Sequence, residues 1–300
     1  MTTPNQIAPH AGAVDRPEPG LRRVLAPNPS PMTFLGTNTY ILGQGEVAVI
    51  DPGPQDAAHM AAIIEALEPG ERISHIVCTH SHLDHSALAP ELSEVTGAPI
   101  VAYGDSTAGR REDLVGLADL GGGEGVHLGF APHEILADAA WLHGKDWSLQ
   151  AIWTPGHMGN HICLAWGDRV FSGDHVMGWA TSMVSPPDGD LGAFMESLRK
   201  LEPRRDRVFY PAHGDPIDTP QDRVRGLLAH RKGREAEIRA ALTSGPATAP
   251  QLAKAIYTDI PPALIGAATR NVLAHLIDLT DRKLTEAETG HGLTTEYALR

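Results

Sequence analysis

Cysteine is scarce in this sequence. Cys78 and Cys163 are the only two among 300 residues, and both lie inside apolar, strand-like runs. That excludes a disulfide scaffold and suits buried free thiols in a reducing compartment, so a cytoplasmic location is expected. Cys78 adjoins a histidine-rich stretch, but its apolar neighbours direct it into the core. Long apolar runs are also missing. No stretch approaches the roughly 18 residues of a membrane span, so no membrane association is expected. Residues 1–31 are rich in proline and contain no apolar segment of the kind a secretory signal needs. Positive charge is in deficit, with 24 Lys and Arg against 37 Asp and Glu and a net charge of −13. An acidic chain disfavours broad, nonspecific binding to nucleic acid or anionic membrane.

What is present is histidine, and its placement. Thr79-His80-Ser81-His82-Leu83-Asp84-His85 follows the apolar run Ile76-Val77-Cys78. This reads as a buried strand that ends in a loop of metal ligands. Histidines at i and i+2 after a strand can face one side, and the following Asp and His can face a second ion. Neutral imidazole and carboxylate suit a borderline divalent ion such as zinc. A chance cluster in a solvated loop is the bland alternative, and these spacings make it improbable. Partners occur further along: Thr154-Pro155-Gly156-His157, then Phe171-Ser172-Gly173-Asp174, then Tyr210-Pro211-Ala212-His213-Gly214. Each is a short apolar strand, a turn residue and a ligand-type side chain.

In this order, H-x-H-x-D-H, G-H, G-D and a late H-G, the chain resembles the metallo-β-lactamase superfamily over roughly residues 30–220. The resemblance implies an α/β fold, a four-layer αβ/βα sandwich. It also implies two divalent ions, with zinc the first expectation and iron or manganese left open. His80, His82 and His157 would hold one, and Asp84, His85 and His213 the other, with Asp174 bridging. A water held between such ions would have its pKa lowered to about 7, yielding a hydroxide that attacks a carbonyl or phosphoryl group, with Asp84 orienting it and accepting its proton. Asp51, at the end of a strand, is expected to support the metal loop through hydrogen bonds. The bridging Asp174 sets the chain with the glyoxalase II, lactonase and nuclease branches rather than with true β-lactamases.

Around these ligands, expectations are weaker. His161 is a candidate catalytic residue, with a satisfied structural histidine as the alternative; His175 reads as structural or pocket-lining. Trp179 is a candidate pocket wall. Arg110, in the glycine-rich segment 104–140, is a candidate contact for an anionic substrate, and that segment reads either as a binding loop or as plain surface. Residues 199–239 hold eleven Lys and Arg, against seven Asp and Glu. They form either a solvated helix of mixed charge or a local basic face. Beyond Pro220, three helical patterns and two short strands resemble a winged helix. The expected layout is an irregular arm over residues 1–30, a catalytic domain over 31–220 and a winged-helix-like domain over 221–300, closest to beta-lactamase-like protein 2 and glyoxalase II-like proteins.

The leading functional expectation is a metallo-hydrolase that cleaves an ester, thioester, lactone or amide bond of a small molecule. The alternatives are a single-stranded RNA endonuclease and a mononuclear iron persulfide dioxygenase-like enzyme. Self-association is left open.

Overall fold

The computed structural model describes residues 10–120, 125–288 and 290–300. Seven strands, β1 (Val14–Glu18), β2 (Leu21–Leu25), β3 (Asn38–Leu42), β4 (Glu46–Ile50), β5 (Arg72–Val77), β6 (Ile100–Ala102) and β7 (Glu134–Ile135), form one sheet in sequence order. Five more, β8 (Trp141–His143), β9 (Ser148–Trp153), β10 (Ile162–Trp166), β11 (Arg169–Gly173) and β12 (Val208–Pro211), form the second, again as consecutive neighbours. Strands β4 to β7 run parallel, as do β11 and β12, while the other neighbours are antiparallel.

The period of two in each strand builds the layers. In β4, Ala48 and Ile50 enter the core between the sheets, whereas Val47 and Val49 face an outer core. In β12, Val208 and Tyr210 point inward and Phe209 outward. Helices α1 (Ala57–Glu65), α2 (Leu83–Ser86) and α3 (Ala89–Thr96) lie in the first half. Ile63 of α1 and Leu92 of α3 cover the outside of the first sheet. Helices α4 (Leu191–Leu201) and α5 (Pro220–Leu242) cover the second sheet through Phe194, Leu198, Val224 and Leu227. The result is the expected αβ/βα sandwich.

The C-terminal part adds β13 (Ala247–Thr248), α6 (Ala249–Ile256), α7 (Ile265–Asp281), β14 (Thr285–Ala287) and β15 (Glu296–Leu299). Its three strands pair in the order β13-β15-β14, which is the wing. Helix α5 belongs to two cores. Its first turns pack on the sandwich, and Ile238 and Leu242 join Leu252, Leu273 and Leu276 in the winged-helix core. No helix among the described residues is long and apolar enough to cross a membrane.

The expectation of an irregular arm over residues 1–30 is corrected. Val14–Glu18 and Leu21–Leu25 are strands of the first sheet, and Leu21 to Leu25 are buried. Arg22 and Arg23 mask the pattern, because both are buried and paired, with Glu71 and Asp15. Residues 1–9 lie outside the described part.

Candidate metal centre

Every expected ligand lies just beyond the C-terminal end of a strand: His80–His85 after β5, His157 after β9, Asp174 after β11 and His213 after β12. Parallel strands bring such ends together, so residues far apart in sequence meet at one rim of the sandwich. Two glycines permit the close approach. Gly156 takes φ +131°, and a Cβ there would come within 2.3 Å of the Phe194 backbone. Gly173 takes φ +51°, and a Cβ there would meet the His161 ring at 2.5 Å.

Ligand-type atoms converge in two adjoining groups, His80, His82, His157 and Asp174 in one and Asp84, His85 and His213 in the other, each within 4.8 Å. His82 Nδ1 lies 2.9 Å from His80 Nε2 and 3.0 Å from His157 Nε2. Asp174 faces both groups, with Oδ2 3.5 Å from His157 Nε2 and Oδ1 3.3 Å from His213 Nε2. His213 Nε2 is also 3.3 Å from Asp84 Oδ2.

Outer partners fix which nitrogen faces inward. His85 Nδ1 donates to Asp51 Oδ2 at 3.1 Å, His157 Nδ1 to the Met183 carbonyl at 2.7 Å, and His213 Nδ1 to the Gly36 carbonyl at 3.2 Å. Thr79 Oγ1 donates to Asp51 Oδ2 at 2.8 Å and lies 3.1 Å from His80 Nδ1. These four rings thereby present Nε2 to the centre, whereas His82 presents Nδ1, and a second ring nitrogen held by an outer partner is the usual arrangement for a ligating histidine. Asp51, 2% exposed, supports the loop as expected.

The residues fit a bound cation. His85 Nε2 and Asp174 Oδ1 are buried and have no hydrogen-bond partner, which is costly unless something else binds them. The electrostatics agree. Burial, then the rings of His85, His82 and His157, hold His80 well below its ordinary pKa. His82 is pushed down to about 3, by burial first and then by His157. These rings are neutral lone-pair donors at physiological pH. In the other group burial opposes the charge on His85 and His213, but the carboxylates prevail. Asp84, Asp174 and Asp51 raise His85 well above its ordinary value, and Asp174 and Asp84 raise His213 to about 9. The buried carboxylates therefore demand positive charge, which divalent cations supply. An all-nitrogen and oxygen donor set suits zinc, iron or manganese.

Two expectations are corrected. His161 is not placed to touch a substrate. It is fully buried, its Nδ1 lies 2.9 Å from Thr154 Oγ1, and its Nε2 accepts from the Asp174 amide at 3.2 Å. It shapes the turn that carries Asp174. Arg110 is not free for an anion, because its guanidinium pairs with Asp188. His175 is fully buried, 4.5 Å from the Phe194 ring, and is structural. Trp179 is 38% exposed and stacks on Phe34 at 5.0 Å, with its ring against Gly214, beside His213. Cys78 and Cys163 are buried free thiols, and burial raises both pKa values.

Sequence reasoning missed several neighbours. The segment 125–127 is knitted into the metal loop, since Leu83 N donates to the Gly125 carbonyl at 2.7 Å and His127 N to the Ser81 carbonyl at 2.8 Å. Asn160 Nδ2 donates to Ser81 Oγ at 2.9 Å. Phe34, with φ +57°, joins Trp179 at the rim. A solvent-directed aromatic in a left-handed turn has no periodic signal, and backbone acceptors such as Gly125 have none either. The run Gly121-Gly122-Gly123-Glu124 lies outside the described residues.

Fold and cluster together define a metallo-hydrolase type of protein. The profile of the Metallo-beta-lactamase superfamily matches residues 32–213, and that of the Beta-lactamase associated winged helix domain matches residues 248–291. An Atrochrysone carboxyl ACP thioesterase from Aspergillus fumigatus is 31% identical over 84% of this chain and 78% of its own. A Beta-lactamase-like protein 2 homolog from Drosophila melanogaster is 30% identical over 89% and 90%. A metallo-beta-lactamase family protein from Thermus thermophilus superposes with a TM-score of 0.76 at 26% identity, covering 94% of this chain and 99% of its own. The chain belongs to the metallo-β-lactamase superfamily and carries the winged-helix domain associated with it.

Proposed function

We propose that the protein is a binuclear metallo-hydrolase that cleaves a thioester, or a related activated ester, of a small molecule. The observation that carries this reading is the Asp174 carboxylate, whose two oxygens face the two ligand groups at 3.5 Å and 3.3 Å. His80, His82 and His157 would hold one ion and Asp84, His85 and His213 the other, with Asp174 between them. Bound there, such a pair would lower the pKa of water and polarise a substrate carbonyl.

The chain's own residues do the rest. Against the raising effect of burial, His85 and His213 keep the Asp84 carboxyl well below the usual carboxylate range, so it stays ionised. Its side chain is 27% exposed, which leaves an oxygen within reach of solvent and of a substrate at the rim. Asp84 is thus placed to accept a proton from the attacking group and pass it on. Phe34 and Trp179 form an apolar wall beside His213, suited to an acyl chain. The relative named as a thioesterase supports that class of bond.

An RNA substrate has less support, because the basic stretch is largely used inside the protein. Arg204 pairs with Asp206, Arg207 with Glu18 and Arg225 with Asp222. Arg223 donates to the Met177 and Ala180 carbonyls.

The test is thiol release from acyl thioesters by protein loaded with zinc, iron or manganese, beside cleavage of a labelled single-stranded RNA and Asp174→Ala purified identically. Ion-dependent thiol release, lost in the variant along with bound metal, is expected. RNA cleavage without thiol release would replace this reading with the nuclease. One tightly bound iron per chain and no hydrolysis would favour the dioxygenase.

A further inference from the structure

The loop between Asp174 and α4 contributes no ligand, yet two ligands lean on it. The Met183 carbonyl accepts from His157 Nδ1 at 2.7 Å. Ser182, fully buried, donates through Oγ to the Asp174 carbonyl and is 3.0 Å from the His175 carbonyl. A shift of residues 182–183 would therefore turn His157 and displace Asp174 together. A loop of this kind, between β11 and α4, has no ladder of its own to hold it.

Two residues from the C-terminal helices hold it. Arg231 of α5 donates through one guanidinium nitrogen to the Ser182 carbonyl and through another to Asn271 Oδ1 at 2.9 Å. Asn271, on α7, also accepts from the Val184 amide at 3.4 Å. Five residues before Ser182, Arg223 of α5 donates to the Met177 carbonyl at 2.6 Å. Arg223 and Arg231 are eight residues apart and so share a helix face.

Arg231 is 2% exposed, and among the described residues no carboxylate pairs with it. The Phe194 ring lies 5.1 Å from its guanidinium, and His175, His275, Tyr257 and Arg234 are also near enough to interact with its charge. Burial lowers its pKa to about 10, still far above neutrality. A buried cation without a counter-charge is expensive, and an apolar side chain would fill the volume without that cost. Filling space is thus a poor account of Arg231. What an apolar residue cannot do is fork between two oxygens on two different segments, which the planar guanidinium does and a lysine does not.

We propose that Arg231 and Asn271 are positioning residues of the metal centre, through which the C-terminal helices set the 182–184 segment and hence the orientation of His157 and Asp174. This rests on the reading of the cluster as a metal site. It makes the winged-helix part a component of that site rather than an appendage.

The test measures ion uptake rather than turnover. The full-length chain is prepared as wild type, Arg231→Met, Asn271→Leu and Asn271→Asp. Zinc affinity is measured by chelator competition, the visible spectrum is recorded with cobalt(II), and the thermal transition is recorded without metal. The removal of an outer partner of a ligand costs about 10- to 100-fold in metal affinity. Arg231→Met and Asn271→Leu are expected to lose that much and to shift the cobalt bands. Asn271→Asp keeps the acceptor oxygen that Arg231 and the Val184 amide share, and is expected to retain affinity and spectrum. A purely structural role would lower the metal-free transition and leave the cobalt spectrum of the folded fraction unchanged, and that result overturns the proposal. If Arg231→Met does not fold, the Asn271 pair decides alone. Wild-type protein that takes up no ion sinks the metal-centre reading and this role with it. Normal uptake by wild type and both weakened variants sinks this role alone.

Discussion

The two sides of the candidate metal centre are supported by the same chemistry at very different ranges. On the His85 side, Asp51 at the end of β4 accepts from the Thr79 amide at 2.7 Å, from Thr79 Oγ1 at 2.8 Å and from His85 Nδ1 at 3.1 Å. Asp51 and Thr79 lie just beyond the ends of adjacent parallel strands, and His85 lies on the short helix α2 that follows. Asp51 holds φ +49°, a left-handed conformation that costs a non-glycine residue about 1 kcal/mol or more and persists only where its surroundings over-determine it. On the His157 side the outer partners sit in an irregular loop, and that loop depends on helices from another core. One side is rigid because the sheet is rigid. The other is as rigid as the contact between sandwich and winged helix, so it can be loosened without touching a ligand.

The first way to break this contrast is acid. His59, 1% exposed, backs the sandwich side: its Nε2 lies 2.9 Å from Thr39 Oγ1, which donates to the Asp51 carbonyl at 2.7 Å. Burial, partly offset by Asp56, lowers its pKa from 6.5 to about 4. Below pH 6.5 the unfolded chain takes up a proton that the folded chain refuses. Stability therefore falls as pH drops below 6.5, and the loss is complete near pH 4, at about 3 kcal/mol. Denaturant melts of the metal-free protein at several pH values should show this, with a shallower acid slope for His59→Gln. Equal slopes in both proteins would remove His59 from the support.

A somewhat smaller effect is expected from Asp51→Asn, which keeps the shape and weakens three hydrogen bonds. Zinc affinity should drop about 10- to 100-fold. Combined with Arg231→Met, the two losses should add to within about 0.5 kcal/mol if the sides are independent. A clear departure from additivity would mean that they form one network.

The same contrast explains what was legible in the sequence. The clustered residues could be read because a strand end followed by closely spaced His and Asp, or by Gly or Pro and then His or Asp, is a local pattern, and the ordered set left little freedom. Asp51 could be read through the resemblance, which implies a supporting carboxylate at the end of that strand. Strands β1 and β2 could not, because Arg22 and Arg23 are charged yet buried against Glu71 and Asp15, which inverts the usual alternation. Arg110 and the basic stretch looked available because a sequence displays charge without its partner; Asp188 lies 78 positions away. His161 sits at a spacing that suits a substrate contact, but the fold spends both its nitrogens on Thr154 and the Asp174 amide. Long-range pairing decides such cases, and no window of sequence contains it.

The smallest expected effect concerns the rim, which belongs to neither support. Phe34 is 42% exposed and Trp179 38%, and they stack at 5.0 Å beside the loop whose Gly36 carbonyl holds His213. Apolar surface left in water at a site mouth gains only when a ligand covers it. A ring that covers about 60 Å² of acyl chain contributes about 1.5 kcal/mol, or roughly tenfold in binding. Phe34→Ala should therefore raise KM about tenfold for a long-chain thioester and much less for an acetyl thioester, with kcat unchanged, because the contact is equal in ground and transition states. Trp179→Ala should do the same, and the double variant little more, since each ring is held by the other. A KM rise that ignores chain length would mean that the rings brace the His213 loop instead. In that case the rim would join the sandwich-side support, and zinc affinity would fall in the same variants.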